Sequence, residues 1–335
     1  MKRYIILIFL LATPFFNPVF SQQKDYYSDV DLFIWVVTNV EKVEAGWRSL
    51  GFNHFQDHGN LILQDFKVNG KVAKTEIKMV SANIGGAKVL WIQPISGESA
   101  FSQYLKMNGN GVFALMHEVP TLVELNSEVQ RLNNLGTDVW QQGKFVLTGT
   151  SIQFVMMKTL NKGKYVLGLY HGESPLDEAK KSNNDLNCKF NQVAFALKKS
   201  NKKSTSAYWE KLGLLKFNFV YPVDTKDKKY YGEAADFDLE QGWQRNNVPY
   251  EWCIPMAPPT VYADHIKKYS EGFHHFGLGV GNFEKAVQYY ENKGFKISMS
   301  GGWGEEGKPG SGKFAYVDTE EFGGESIELL WSYKE

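Results

Sequence analysis

Side chains able to bind a metal or attack a substrate are few in this sequence, and most fail on spacing. His54 and His58 stand four residues apart, the interval that places two imidazoles on one helix face, but they follow Gly51, outside the helix expected before it. Cys188 and Cys253 are the two cysteines of the chain; with no CxxC between them they exclude thiolate-rich zinc and iron–sulfur sites, and one bridge is the most they could form. GKPGSGK at 307–313 has the spacing of a phosphate-binding loop, yet Phe314 stands where Ser or Thr is needed and a strand rather than a helix follows. It reads as a hairpin loop placed, with Gly301, Gly302 and Gly304, to act as a flap. Lys198, Lys199, Lys202 and Lys203 read as a solvated turn. Two short stretches are more informative, because alternate residues of a strand face opposite sides of a sheet. Gln192, Ala194 and Ala196 share a face opposed by Val193, Phe195 and Leu197; His275, Gly277 and Gly279 are opposed by Phe276, Leu278 and Val280. In each, the apolar face is fit to pack under a helix, while the other carries one ligand-capable side chain followed by small residues, which leaves a cleft open. His274 is assigned to the face opposite His275, with a structural role.

The elements that must position these residues recur four times. A short apolar strand, a turn and an amphipathic helix end in a Gly: Leu32–Val37 to Gly51, Val112–Val119 to Gly136, Val193–Leu197 to Gly213 and Phe276–Val280 to Gly294, at spacings of 14, 17, 16 and 14 residues. Gly is the expected residue past a helix end, since it takes the left-handed conformation without a Cβ clash. β-rich stretches then lead to a closing apolar strand at Val89–Ile92, Tyr165–Tyr170, Tyr250–Ile254 and Ser326–Trp331. The unit is βαβββ. Units one and two are joined by 93–111, units three and four by 255–272, and the polar stretch 171–187 separates the two pairs. The fold class is α+β, and the expected domains are 27–172 and 188–335.

The chain has 335 residues, with 37 Lys and Arg against 37 Asp and Glu, a balance that argues against a dedicated nucleic-acid binder. With 43% hydrophobic residues it can bury a large core. The first 21 residues carry the basic start, apolar run and small-residue end of a secretory signal cleaved near Ser21. A periplasmic or secreted protein without a membrane anchor is therefore expected, a monomer or homodimer.

GFHHFGLGVGNFEKAVQYYENKGF (272–295), followed by GKFAYVDTEEFGGESIELLW (312–331), resembles the last module of the vicinal-oxygen-chelate superfamily, the group of glyoxalase I, methylmalonyl-CoA epimerase and the extradiol dioxygenases. FNQVAFALKKSNKKSTSAYWEKLGLLKF (190–217) is similar to the module before it, and QPISGESAFSQYLKMNGNGVFALMHEV (93–119) to an inter-module linker. The resemblance implies two domains, each of two modules whose mixed sheets curve around a cleft. It also implies metal ligands on the first and last strands of each module.

Carried over residue by residue, it offers Gln192, Glu251, His275 and Glu328 as metal ligands. The same register in the first half gives Leu32, Leu90, Ala114 and Leu167, none of which can hold an ion, so that half is expected to be structural, its cleft filled. A Gln, Glu, His, Glu set resembles that of eukaryotic glyoxalase I and suits zinc, nickel, cobalt or manganese more than redox iron. The activity implied is isomerase, epimerase or lyase chemistry on a small hydroxycarbonyl or dicarbonyl substrate through an enolate or enediol, with Glu328 and Glu251 as catalytic carboxylates. Members that use glutathione place an Arg where this chain has Ala196. The alternatives are a ring-cleaving dioxygenase and a non-catalytic binding protein of the drug-sequestering type.

Overall fold

The computed structural model describes residues 23–147, 149–173, 184–222 and 225–333. The leader expected over 1–21, and most of the stretch 171–187 expected to separate the two halves, lie outside these residues. Four opening strands, Leu32–Val36, Gly111–Glu118, Lys189–Ala196 and Gly272–Gly279, are each followed by a helix: Val40–Ser49, Leu122–Asn134, Lys202–Lys211 and Phe283–Asn292. Asn39, Thr121 and Asn282 start three of these helices by accepting the backbone N–H of Lys42, Glu124 and Lys285, which satisfies donors that the first turn leaves unpaired. All four stop at the glycines expected from the sequence. Gly51, Gly136, Gly213 and Gly294 have φ of 93°, 80°, 89° and 88°, values that a side chain with a Cβ resists.

The strands form two curved mixed sheets of ten strands each, with the same order in both. At the centre of each sheet the opening strands of two modules run antiparallel, Leu32–Val36 beside Gly111–Glu118 and Lys189–Ala196 beside Gly272–Gly279. Each is flanked by the closing strand of its own module in parallel: Ala87–Ser96, Val166–His171, Tyr250–Ala257 and Ser326–Ser332. A strand of the first module then crosses to the far edge of the second, Gln64–Val68 onto Val139–Leu147 and Lys226–Tyr230 onto Ile297–Trp303. That crossing bends each sheet into a trough, and the sequence periods alone do not reveal it.

The faces turned away from the troughs share one apolar core in which both halves take part. Trp35 stacks on Phe276 with ring centroids 5.5 Å apart and donates its Nε1 hydrogen to the Gly323 carbonyl at 2.7 Å. The helices dock reciprocally: Trp47 Nε1 donates to Phe322 O and Trp209 Nε1 to Gly163 O, both at 3.0 Å. Gly46 and Gly163 permit that approach, since a Cβ on them would lie 2.1 Å from Phe322 and 2.3 Å from Trp209.

Several smaller expectations are settled by the same packing. Cys188 and Cys253 are both buried and free. GKPGSGK is the connection between the antiparallel strands Ile297–Trp303 and Gly312–Val317. Lys202 departs from the solvated turn expected of it, because its Nζ lies 2.7 Å from both carboxylate oxygens of buried Glu240.

The trough of the first sheet is packed with side chains. Leu32, Leu90 and Ala114 lie there with Ile34, Val36, Met116, Phe66 and Phe154. Leu167 does not, which corrects the expected register: Val166 is the residue opposite Ala114, and Leu167 faces the shared core. A closing strand read one residue out of step turns every side chain to the wrong face. His275 is paired with Ser326 and Gly277 with Glu328, so the first-half counterpart of Glu328 is Gly168, beside Met116. A Cβ on Gly168 would lie 2.0 Å from Met116 Sδ. Where the second half has a glycine and a carboxylate, the first has a methionine and a glycine, and the thioether takes the space of the acid.

Candidate metal centre

Four adjacent strands of the second sheet bring Gln192, Glu251, His275 and Glu328 together. Ala194 is paired with His275 on one side and Glu251 on the other, and Gly277 lies between Gln192 and Glu328. Gln192 Nε2 is 2.8 Å from Glu251 Oε2 and 3.2 Å from Glu328 Oε2. His275 Nε2 is 3.1 Å from Glu328 Oε2 and 3.9 Å from Glu251 Oε2. Gly277 holds this space open, for a Cβ on it would lie 2.5 Å from Gln192 Cγ. All four side chains are buried, His275 completely.

The opening strand of the fourth module is irregular where it matters most. Phe195 is paired with Phe273 but the next residue, Ala194, is paired with His275, so His274 is the extra residue of a β-bulge. The expectation that His274 faces away from His275 is therefore overturned. Phe273 and Phe276 both enter the shared core, while the two imidazoles lie on the trough side with Nδ1 atoms 2.8 Å apart. The His274 ring is 4.9 Å from that of Tyr262 and 5.9 Å from that of Tyr316. Strict alternation carries no sign of a bulge, which is why the sequence reading failed at this residue.

Hydrogen bonds fix the acids from behind. Tyr316 donates its hydroxyl to Glu328 Oε1 at 2.5 Å, and the Tyr262 and Tyr316 hydroxyls are 2.5 Å apart. Gln241 donates to Glu251 Oε1. Burial, and then the neighbouring Glu328, push the Glu251 carboxyl up to about 7, against the opposing pull of His275. Burial likewise holds the phenols of Tyr262 and Tyr316 well above their ordinary range, so both remain hydrogen-bond donors. These supporting residues were not singled out from the sequence. Tyr262 was legible in principle: Thr260 caps the helix Val261–Tyr269, and Val261, Tyr262, His265 and Ile266 recur at a helical period within what reads as a linker.

The residues fit a divalent cation. Two carboxylates lie side by side in a buried place, and His275 is the one residue in salt-bridge distance of either among the described residues. His275 Nε2 approaches Glu328 yet makes no hydrogen bond, although it is buried. A buried nitrogen normally has a partner. Among the described residues one potential donor atom each from Glu251, His275 and Glu328 lie within 4.8 Å of one another, close enough to share one point. Gln192 adds an amide whose oxygen reaches the same point when the group is turned over. One imidazole with oxygen donors suits zinc, nickel, cobalt or manganese. His54 and His58 are not part of it; His58 Nε2 lies 2.9 Å from Ser81 Oγ in the first sheet.

Residues 191–316 match the family described as the Glyoxalase/Bleomycin resistance protein/Dioxygenase superfamily. A triple mutant of 4-hydroxymandelate synthase from Streptomyces coelicolor shares the fold over 93% of this chain and 93% of its own, with a TM-score of 0.59 and 12% identity. A catechol 2,3-dioxygenase aligns over 94% of this chain and 89% of its own, with a TM-score of 0.49 and 10% identity. No curated protein sequence matches the chain. Among the described residues no helix is long and apolar enough to cross a membrane.

Proposed function

We propose that this chain belongs to the Glyoxalase/Bleomycin resistance protein/Dioxygenase superfamily and is a divalent-metal-dependent isomerase, epimerase or lyase for a small hydroxycarbonyl or dicarbonyl compound. The observation that carries the proposal is the convergence of Gln192, Glu251, His275 and Glu328 around a buried imidazole nitrogen that has no hydrogen-bond partner among the described residues. These four residues would hold the cation, whose chemistry is Lewis-acid polarisation of substrate oxygen atoms. Glu328 is the proposed base. Tyr316 anchors its Oε1, and Oε2, giving up its place among the ligands, would take a proton from the carbon beside a substrate carbonyl, while Glu251 returns a proton from the neighbouring strand. One acid removing and the other delivering is isomerisation or epimerisation. The surrounding Tyr262, Tyr316, Phe237 and Met299 shield the bound substrate from bulk water, and the proton that Glu251 delivers is drawn from solvent between turnovers.

The donor set favours non-redox chemistry. A ring-cleaving iron centre is built on two imidazoles and one carboxylate with open positions. Here His275 is the one imidazole that converges with the acids among the described residues, and the nitrogen of His274 is turned to His275 instead. Ala196, buried in the same trough, offers no cation to a glutathione carboxylate. The test is anaerobic incubation of zinc-, nickel-, cobalt- or manganese-loaded protein with a panel of α-hydroxycarbonyls in D2O. Deuterium should enter the carbon next to the carbonyl, and Glu328→Gln should lose that exchange by at least about 100-fold while retaining most of the bound metal. Full exchange in the variant removes Glu328 as the base; oxygen uptake with catechols by iron-loaded protein would favour ring cleavage instead.

A further inference from the structure

We propose that His274 is the positioning residue of this centre: by accepting the Nδ1 hydrogen of His275 it leaves His275 Nε2 bare and aimed at the acids. The inference rests on the cation-binding reading of the site. Its geometry is independent of that reading. Two imidazole Nδ1 atoms 2.8 Å apart are too close for two hydrogens or two lone pairs to face each other, so one of the pair carries the proton and the other accepts it. An imidazole that gives Nε2 to a cation must carry its proton on Nδ1. His274 Nδ1 is therefore the acceptor, and its own proton moves to Nε2.

The surroundings supply no substitute. The rings of Tyr262, Tyr316 and His265 pack around His274, and the two phenol hydroxyls engage each other and Glu328. The arrangement also accounts for the bulge. On a strand alternating regularly through His275 and Phe276, His274 would point into the shared core beside Phe276; one extra residue turns it to the trough, against His275. Partners of this kind fix both the tautomer and the ring orientation of a ligating histidine.

The test compares full-length wild type, His274→Leu and His274→Asn, each stripped of metal and titrated with zinc against a chromophoric chelator. His274→Leu should bind zinc about 10- to 100-fold more weakly, and His274→Asn, whose amide oxygen can accept near the Nδ1 position, should stay within about threefold of wild type. Melting temperatures of the stripped proteins separate a folding defect from a positioning defect. A measurement that needs no variant is nitrogen NMR of the zinc-loaded wild type labelled at histidine: His275 should be protonated at Nδ1 and bare at Nε2, with His274 bare at Nδ1. Wild-type affinity in His274→Leu, or a His275 protonated at Nε2, overturns this inference alone. A wild type that binds none of zinc, nickel, cobalt or manganese overturns the site reading with it.

Discussion

Besides Glu240, which pairs with Lys202, three carboxylates of the second half are buried among the described residues, and what each one faces decides its chemistry. Glu328 accepts from Tyr316 and Gln192, and Glu251 from Gln241 and Gln192. Glu325 has less: its Oε1 accepts the Val112 N–H at 2.7 Å, joining the two halves, while its Oε2 has no partner. Burial holds the Glu325 carboxyl well above its ordinary value of 4.5. The folded state therefore binds this proton more tightly than the unfolded chain does. The stability it brings is full below pH 4.5 and is lost as pH rises from there through the folded-state value. Glu325→Gln keeps an acceptor for Val112 and removes the charge. Relieving an uncompensated buried charge is worth on the order of 1–3 kcal/mol. The variant should melt several degrees above wild type at pH 8 and level with it near pH 4, read from thermal scans across pH. A variant that melts no higher at pH 8 contradicts the assignment.

At the scale of the element, the design reduces to which residues of a strand are small. Helix stops were legible because the four left-handed glycines act locally; the caps Asn39, Thr121 and Asn282, which the sequence reading did not single out, act just as locally at the starts. Alternation by itself placed only Gln192 and His275 on open faces; the juxtaposition of Gln192, Glu251, His275 and Glu328 was legible through the family resemblance, which implied the strand order and the two acids. The positions of His274 and Leu167 were not. A bulge or a one-residue shift in a strand's start is fixed by the partner strand, and a single strand read alone contains no record of it. Gly277 tests this level. Its backbone needs no special conformation, yet a Cβ there would press on Gln192 Cγ at 2.5 Å and on Leu330 at 3.0 Å. Gly277→Ala should weaken zinc binding by about 10-fold in a chelator competition, with the melting temperature of the metal-free protein lowered by no more than a few degrees. Unchanged affinity would show that Gln192 is not held where the cation needs it.

Across the whole molecule the same topology is used twice to opposite ends. One trough is closed by Met116 and its apolar neighbours, the other keeps two acids, an amide and an imidazole beside Gly277, and the two sheets are joined back to back by the tryptophans and phenylalanines of a common core. The fourfold repetition was visible in the sequence. The pairing of Lys226–Tyr230 with Ile297–Trp303 and the docking of Trp47 and Trp209 across the halves were not, since these contacts join residues far apart in the chain and leave no period behind. The central claim is that the second trough alone holds one divalent ion. Native mass spectrometry of protein made without an affinity tag and equilibrated with zinc, nickel, cobalt or manganese tests it most directly. One ion per chain is expected for wild type and none for the Glu251→Ala/Glu328→Ala double variant that retains its near-ultraviolet dichroism; an ion-free wild type, or equal loading of the double variant, would contradict the account.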